Sequence, residues 1–201
     1  MHIYFSPTSP YVRKCMVTAY ELGLTDLIEL LPANAHPVTR DKKLVAHNPL
    51  GKVPTFITDD GQALFDSRVI CEYLNALGHG RLLPAEGAPR WEALTLQALG
   101  DGILDAALLA RYERHVRPQE LHWPDWVKGK LEAIHTSLDH LNRHPELFAK
   151  DFHLGLLTIG CALWYVDLRY PELAWRDTYP ALAEAAAPLL ARESMHQSWS
   201  L

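Results

Sequence analysis

Three short stretches near the start of the chain put hydroxyl, carboxylate and free backbone groups where one element hands over to the next. In Ser9-Pro10-Tyr11-Val12-Arg13, behind the apolar run His2-Ile3-Tyr4-Phe5, Pro10 suits a first helical position and Ser9 its N-cap. A helix start stabilises anions, because unpaired N–H groups and the macrodipole point there. A serine there either simply caps the helix or also donates its O–H to a bound thiolate. In Asn48-Pro49-Leu50-Gly51-Lys52-Val53-Pro54-Thr55-Phe56, a proline stands directly before a strand-like run, where it cannot donate to a ladder. Pro54 is a plain trans loop proline, or a cis Val53–Pro54 bond turns the Val53 backbone outward to pair with a peptide-like ligand. In Phe65-Asp66-Ser67-Arg68, a carboxylate, a hydroxyl and an open N–H fall within two residues. They cap a helix, or they meet a ligand carrying both an α-amine and an α-carboxylate.

The elements that must position these groups alternate through residues 1–78. We expect strand 2–5, helix 10–22, strand 27–31, a short helix near 39–46, strands 54–58 and 63–65, and helix 67–77. Val69, Ile70, Tyr73, Leu74 and Leu77 recur at helical spacing, and Asp59-Asp60-Gly61-Gln62 has hairpin-turn chemistry. Gly78, Gly80, Pro84, Gly87 and Pro89 then punctuate a segment that reads as a linker over 79–88. Residues 89–201 read as helical, roughly 89–115, 125–143, 155–169 and 179–192, with prolines near the breaks. A small α/β domain over 1–78 followed by an all-α domain is the expected architecture.

Composition narrows the function classes. With 201 residues, 48% hydrophobic and 21% charged, the chain is ordinary for a globular protein. A net charge of -5 without a basic stripe argues against nucleic-acid binding. No run of eighteen apolar residues calls for a membrane span, and no secretory leader is expected. Cys15, Cys71 and Cys161 are too few and too scattered for a disulfide framework and fit buried positions in a reducing cytoplasm. His140 and His144 can share a helix face, but no acidic or cysteine ligands accompany them, so no metal site is expected.

Taken together, Ser9, Val53-Pro54 and Asp66-Ser67 are the recurring parts of the glutathione transferase N-terminal domain. The whole chain resembles that family: NPLGKVPTF, then LFDSRVICEYL, then a linker and a helical domain, with an SPTSPYVRK opening like that of a bacterial subgroup. The resemblance implies a thioredoxin-like α/β domain followed by an all-α domain, the cytosolic glutathione transferase architecture. It also implies a cytoplasmic homodimer that uses glutathione as co-substrate, with no metal, against a small hydrophobic electrophile, in detoxification.

Carried over residue by residue, the resemblance assigns the activating hydroxyl to Ser9, with Ser6 and Thr8 as neighbours in a shifted register. It gives the cysteinyl backbone contact to Val53 ahead of Pro54, and the γ-glutamyl contacts to Asp66 and Ser67. Asp66 stands where most members carry Glu. The glycyl end falls to Asn34, His36, Arg40 or Lys52, with Lys52 nearest Val53 in sequence. Gly100 and Gly102 weaken a helix unless close packing against another chain offsets them; Asp101 between them is the candidate acid reaching a second subunit's ligand, and the alternative is a plain helix kink. Tyr11, Tyr112, His115, Trp123 and Trp164 are candidate walls of the second-substrate pocket. Thr158 is the expected cap of the core helix, with Cys161 where the family keeps an acid. Serine rather than cysteine at position 9 forms no mixed disulfide with glutathione, which favours conjugation over reductase chemistry. The alternatives are a non-catalytic interaction module of the same fold, or a glutathione-dependent isomerase such as maleylacetoacetate isomerase, whose Ser-Ser-Cys opening is absent here.

Overall fold

The computed structural model describes residues 1–197. In chain order the elements of the first region are β1 (His2–Phe5), α1 (Pro10–Glu21), β2 (Glu29–Pro32), α2 (Lys42–His47), β3 (Thr55–Ile57), β4 (Ala63–Leu64) and α3 (Ser67–Leu77). The strands form one sheet in the order β2-β1-β3-β4. β1 pairs parallel with β2, which requires a crossover, and α1 supplies it. β3 runs antiparallel to β1, and β4 antiparallel to β3. Ile3 and Phe5 of β1, Phe56 of β3, Val12 and Met16 of α1, and Ile70 and Leu74 of α3 are at most 2% exposed. Each such side chain contributes about 1.5–3 kcal/mol on burial.

The remaining helices are α4 (Gly87–His115), α5 (Pro124–Arg143), α6 (Leu154–Arg169), α7 (Trp175–Thr178), α8 (Pro180–Leu190) and α9 (Glu193–His196). Among the described residues the chain divides into two units: residues 1–90 with 196–197, and residues 91–195. The division falls inside α4, which starts at Gly87, a residue with φ of 79°. α4 is long and apolar enough to cross a membrane by length and composition, but 56% of its most apolar window is buried within the protein, as in a core helix.

Several expected boundaries shift for local reasons. The strand expected over 27–31 gives way to a 3-10 turn at Thr25–Leu27, and β2 starts at Glu29, where its register with His2 begins. Pro32 is tolerated at the end of this edge strand. α2 starts at Lys42 because the Asp41 carboxylate accepts from the N–H of Lys43 (2.9 Å) and Leu44 (3.4 Å). β3 omits Pro54, which has no N–H to pair. Thr158 is not the cap of the core helix. α6 begins four residues earlier behind His153, whose Nδ1 accepts from Gly155 N (3.1 Å) and Leu156 N (3.4 Å). Thr158 instead lies mid-helix and donates back to Leu154 O at 2.8 Å.

Gly100 packs against its own chain rather than another. A Cβ there would lie 2.8 Å from Thr158 Cγ2 and 3.0 Å from the Thr158 backbone, so α4 and α6 approach too closely for any side chain. A Cβ on Gly102 would meet nothing within 4 Å. α4 continues as helix through both glycines.

Candidate functional site

The sheet register brings the three stretches to one end of the first unit. Tyr4, next to last in β1, pairs with Thr55, the first residue of β3, and Phe56 pairs with Leu64, the last of β4. Ser9 follows the end of β1, Val53-Pro54 precedes the start of β3, and Asp66-Ser67 follows the end of β4. All three therefore leave the sheet at the same edge. Phe5 pairs with Pro32 at the close of β2, so the loop carrying Asn34, His36 and Arg40 leaves there as well.

Ser9 is half-buried and caps α1, its Oγ accepting from Val12 N–H at 3.3 Å. A hydroxyl has one donor and two acceptor lone pairs, so this cap leaves the Ser9 O–H able to donate elsewhere. Ser9 N–H donates to Ser6 O (3.0 Å) and Arg13 N–H to Ser9 O (3.0 Å), which fixes the residue from both sides.

The loop before β3 is held by Asn48 and Thr55, to which no role was expected. Asn48 is 1% exposed and uses both ends of its amide. Nδ2 donates to Lys52 O (3.2 Å) and Thr55 Oγ1 (2.8 Å), while Oδ1 accepts from Leu50 N (2.9 Å). Thr55 Oγ1 donates to Lys52 O at 2.8 Å. A buried amide this fully satisfied fixes its loop, and Lys52 and Val53 ride on that frame. The Val53–Pro54 bond is cis. The available signal was an asparagine set before a proline in an otherwise apolar segment.

The candidates for the glycyl end divide. His36 Nδ1 accepts from Val38 N (3.2 Å) and Thr39 N (3.0 Å), and Arg40 donates to Pro49 O, so both hold their own loops. Asn34 N–H donates to Asp41 at 3.2 Å, and the N–H groups of Asn34 and Lys43 hold the Asp41 carboxyl below its usual range. Lys52 is exposed, and among the described residues its ammonium has no hydrogen bond or ion pair.

Asp66 is exposed and caps α3, its carboxylate accepting from Arg68 N–H at 2.9 Å. The preceding Phe65–Asp66 bond is also cis. Ser67, the first residue of α3, is 3% exposed, and the Cys15 thiol donates to its carbonyl at 3.8 Å. Cys15 and Cys71, both fully buried, place their sulfurs 3.9 Å apart, and Thr18 donates to Cys71 at 3.3 Å. Cys15 is thus a packing residue that ties α1 to the start of α3.

In the second unit Asp101 is 2% exposed, enclosed within its own chain. Glu113 is 5% exposed and accepts from Trp123 N–H and Arg117 Nε, both at 2.8 Å. The Trp123 N–H first, then Arg117, holds this carboxyl below its usual range and closes the turn from α4 to α5. A cavity of about 600 Å³ lies beside that turn, lined by Glu113, His122, Trp123, Val127, Leu131 and His135 among others. Of the residues expected to wall a second-substrate pocket, Trp123 lines this cavity, while Tyr11, Tyr112, His115 and Trp164 do not.

Known proteins share this fold. The sequence model of the Glutathione S-transferase N-terminal domain matches residues 8–77, and that of the C-terminal domain matches residues 124–185. The chain is 33% identical over 199 residues to the uncharacterized GST-like protein YibF of Escherichia coli K12, covering 96% of each. A glutathione transferase family member from Pseudomonas fluorescens Pf-5, solved with bound glutathione, is 40% identical with a TM-score of 0.94, over 98% of this chain and 97% of that one. A second structure from the same organism, with bound S-(propanoic acid)-glutathione, is 39% identical with a TM-score of 0.90, over 98% of each chain. The expected architecture, a thioredoxin-like unit followed by a helical one, is the one found.

Proposed function

Because the chain belongs to the glutathione S-transferase family, we propose that it binds glutathione at the sheet edge described above and activates its thiol for attack on a small electrophile. The observation that carries this reading is the register bringing Ser9, Val53 and Asp66-Ser67 to one edge. In it, Val53 pairs through its backbone with the cysteinyl unit. Asp66 and the start of α3 take the γ-glutamyl amine and carboxylate, and Lys52 takes the glycyl carboxylate. The structures from Pseudomonas fluorescens, solved with glutathione and with a thioether of it, support both the ligand and a conjugated product.

Ser9 acts by donating its O–H to the sulfur. A free thiol of this kind titrates near pH 8.5, so a few per cent is ionised at neutral pH. Lowering that value by about two units requires about 2.7 kcal/mol of preferential stabilisation of the thiolate. A hydrogen bond to a charged group supplies about 1.5–3 kcal/mol and a helix N-terminus about 0.3–1. The two together suffice without a general base. The thiol proton is released to solvent, and the thiolate then attacks the electrophilic carbon as the leaving group departs with its electron pair.

A homodimer in the cytoplasm completes the proposal, supported by the exposed Val69, Leu77 and Trp91 side chains (47%, 42% and 66%). Asp101 serves a second subunit's ligand only if assembly uncovers it, and unchanged glutathione affinity in Asp101→Asn would remove that role. Retention on immobilised glutathione, elution by free glutathione and Ser9-dependent turnover of an aryl halide test the whole reading. Flow-through without turnover would favour the non-catalytic interaction module instead.

A further inference from the structure

Two donors converge on the Lys52 carbonyl from within the first unit, Asn48 Nδ2 at 3.2 Å and Thr55 Oγ1 at 2.8 Å. Both residues are buried, Asn48 at 1% exposure and Thr55 at 0%. They also hold each other, because Nδ2 donates to Thr55 Oγ1 at 2.8 Å. At its other end Asn48 accepts through Oδ1 from Leu50 N–H at 2.9 Å, and through its backbone oxygen from Gly51 N–H at 2.8 Å. The Arg40 guanidinium donates to Pro49 O and would lie 3.0 Å from a Cβ on Gly51. Residues 48–52 are therefore clamped by two side chains, one buried and one exposed.

The consequence falls on the next residue. The Lys52–Val53 peptide is trans and planar, so its N–H points opposite to its C=O. With the carbonyl drawn inward onto Asn48 and Thr55, the Val53 N–H is turned outward. Among the described residues that N–H has no hydrogen-bond partner, and Val53 is half-buried. Backbone N–H groups taken from water are nearly always paired. A half-buried donor whose direction is fixed, with no acceptor of its own, suits an acceptor carried by a ligand.

We propose that Asn48, acting with Thr55, is a positioning residue for glutathione: by holding the Lys52 carbonyl it aims the Val53 N–H at the carbonyl of the cysteinyl unit. The inference rests on the glutathione reading above and adds what sets the direction of that contact. A peptide plane already held in the free protein does not have to be ordered when the ligand arrives, so its fixation raises affinity. Asn75 supplies the contrast within the same unit. It is 7% exposed, and its Oδ1 accepts from Leu82 N–H (2.8 Å) and Leu83 N–H (3.1 Å), so it holds a different loop.

Titration calorimetry with glutathione on the full chain, paired with amide exchange at Val53 followed by NMR, tests the proposal. In the wild type, saturation with glutathione should slow Val53 N–H exchange at least about tenfold. Asn48→Ala and Thr55→Val should each bind glutathione about tenfold more weakly and lose most of that slowing at saturation. Thr55→Ser keeps the hydroxyl but gives up a buried methyl, so it should lose stability while keeping wild-type affinity and slowing. Asn75→Ala gives up two buried hydrogen bonds and should likewise lose stability without losing affinity. A purely structural role would make affinity follow stability across all four variants. Wild-type affinity in Asn48→Ala and Thr55→Val, equal losses in Thr55→Val and Thr55→Ser, or the same loss in Asn75→Ala would each overturn the proposal and leave the glutathione reading standing. A wild type that does not bind glutathione would remove both.

Discussion

Two helix starts, one in each unit, use the same device for different ends. At α1 the Ser9 hydroxyl accepts from Val12 N–H, and at α6 the His153 imidazole accepts from Gly155 and Leu156 N–H. Ser9 sits at a sheet edge with a donor proton left over. His153 must keep Nδ1 unprotonated to cap, and its Nε2 is buried with no partner among the described residues. Its remaining N–H therefore has nothing to serve. A capping side chain becomes a candidate catalytic group only where its second hydrogen-bonding function meets an open site. The cap at α6 serves the fold alone.

The sharpest way to break that contrast is to truncate both caps. Ser9→Ala should cut kcat/KM for conjugation about 10–100-fold, the worth of a hydrogen bond to a charged sulfur, while lowering stability by only about 0.5–2 kcal/mol. His153→Ala should destabilise to a similar degree and leave kcat/KM unchanged. Comparable kinetic losses in both would erase the distinction. Next in size, Gly100→Ala should cost about 1–3 kcal/mol in denaturant unfolding, because its methyl meets Thr158 at 2.8 Å. Gly102→Ala, facing open space, should instead stabilise by about 0.4–1 kcal/mol. Asp66→Asn keeps a good capping residue but loses the charge, so glutathione should bind about tenfold more weakly at unchanged stability.

The smallest effect concerns pH. Burial, the largest influence, lowers the pKa of His153 below its usual 6.5; Glu92 opposes the shift and Lys150 reinforces it. Unfolding releases the imidazole to bind a proton more readily. The cap's contribution is thus fully present above about pH 6.5 and is lost as pH falls towards the lower folded value. Unfolding curves between pH 7 and pH 5 should show an acid-side loss of stability that is reduced in His153→Asn, and an identical slope in both proteins would contradict this.

Much of the first unit was legible because its punctuation is local. Ser9-Pro10 and Asp66-Ser67 announce helix starts, and β1, α1 and α3 fall within a residue of their expected bounds. The strand expected over 27–31 failed because its start is set by pairing with His2, a partner distant in sequence. Thr158 was expected as the cap of α6 because the resemblance carries a Ser/Thr capping motif there, but the helix starts earlier, behind His153, a residue outside the usual capping set. Gly100 and Gly102 looked alike in sequence, yet only tertiary packing separates a close helix contact from open surface. Asn48 was visible as a residue, but its role depends on a loop that folds its amide onto Lys52 and Thr55.

The ionisation of the bound thiol is the most direct test. Titrating the ultraviolet absorbance of the glutathione thiolate on the wild-type protein should give a pKa about two units below the free value of roughly 8.5. In Ser9→Ala it should return most of the way to that value. The same depressed pKa in both proteins, or no depression in the wild type, would contradict the account.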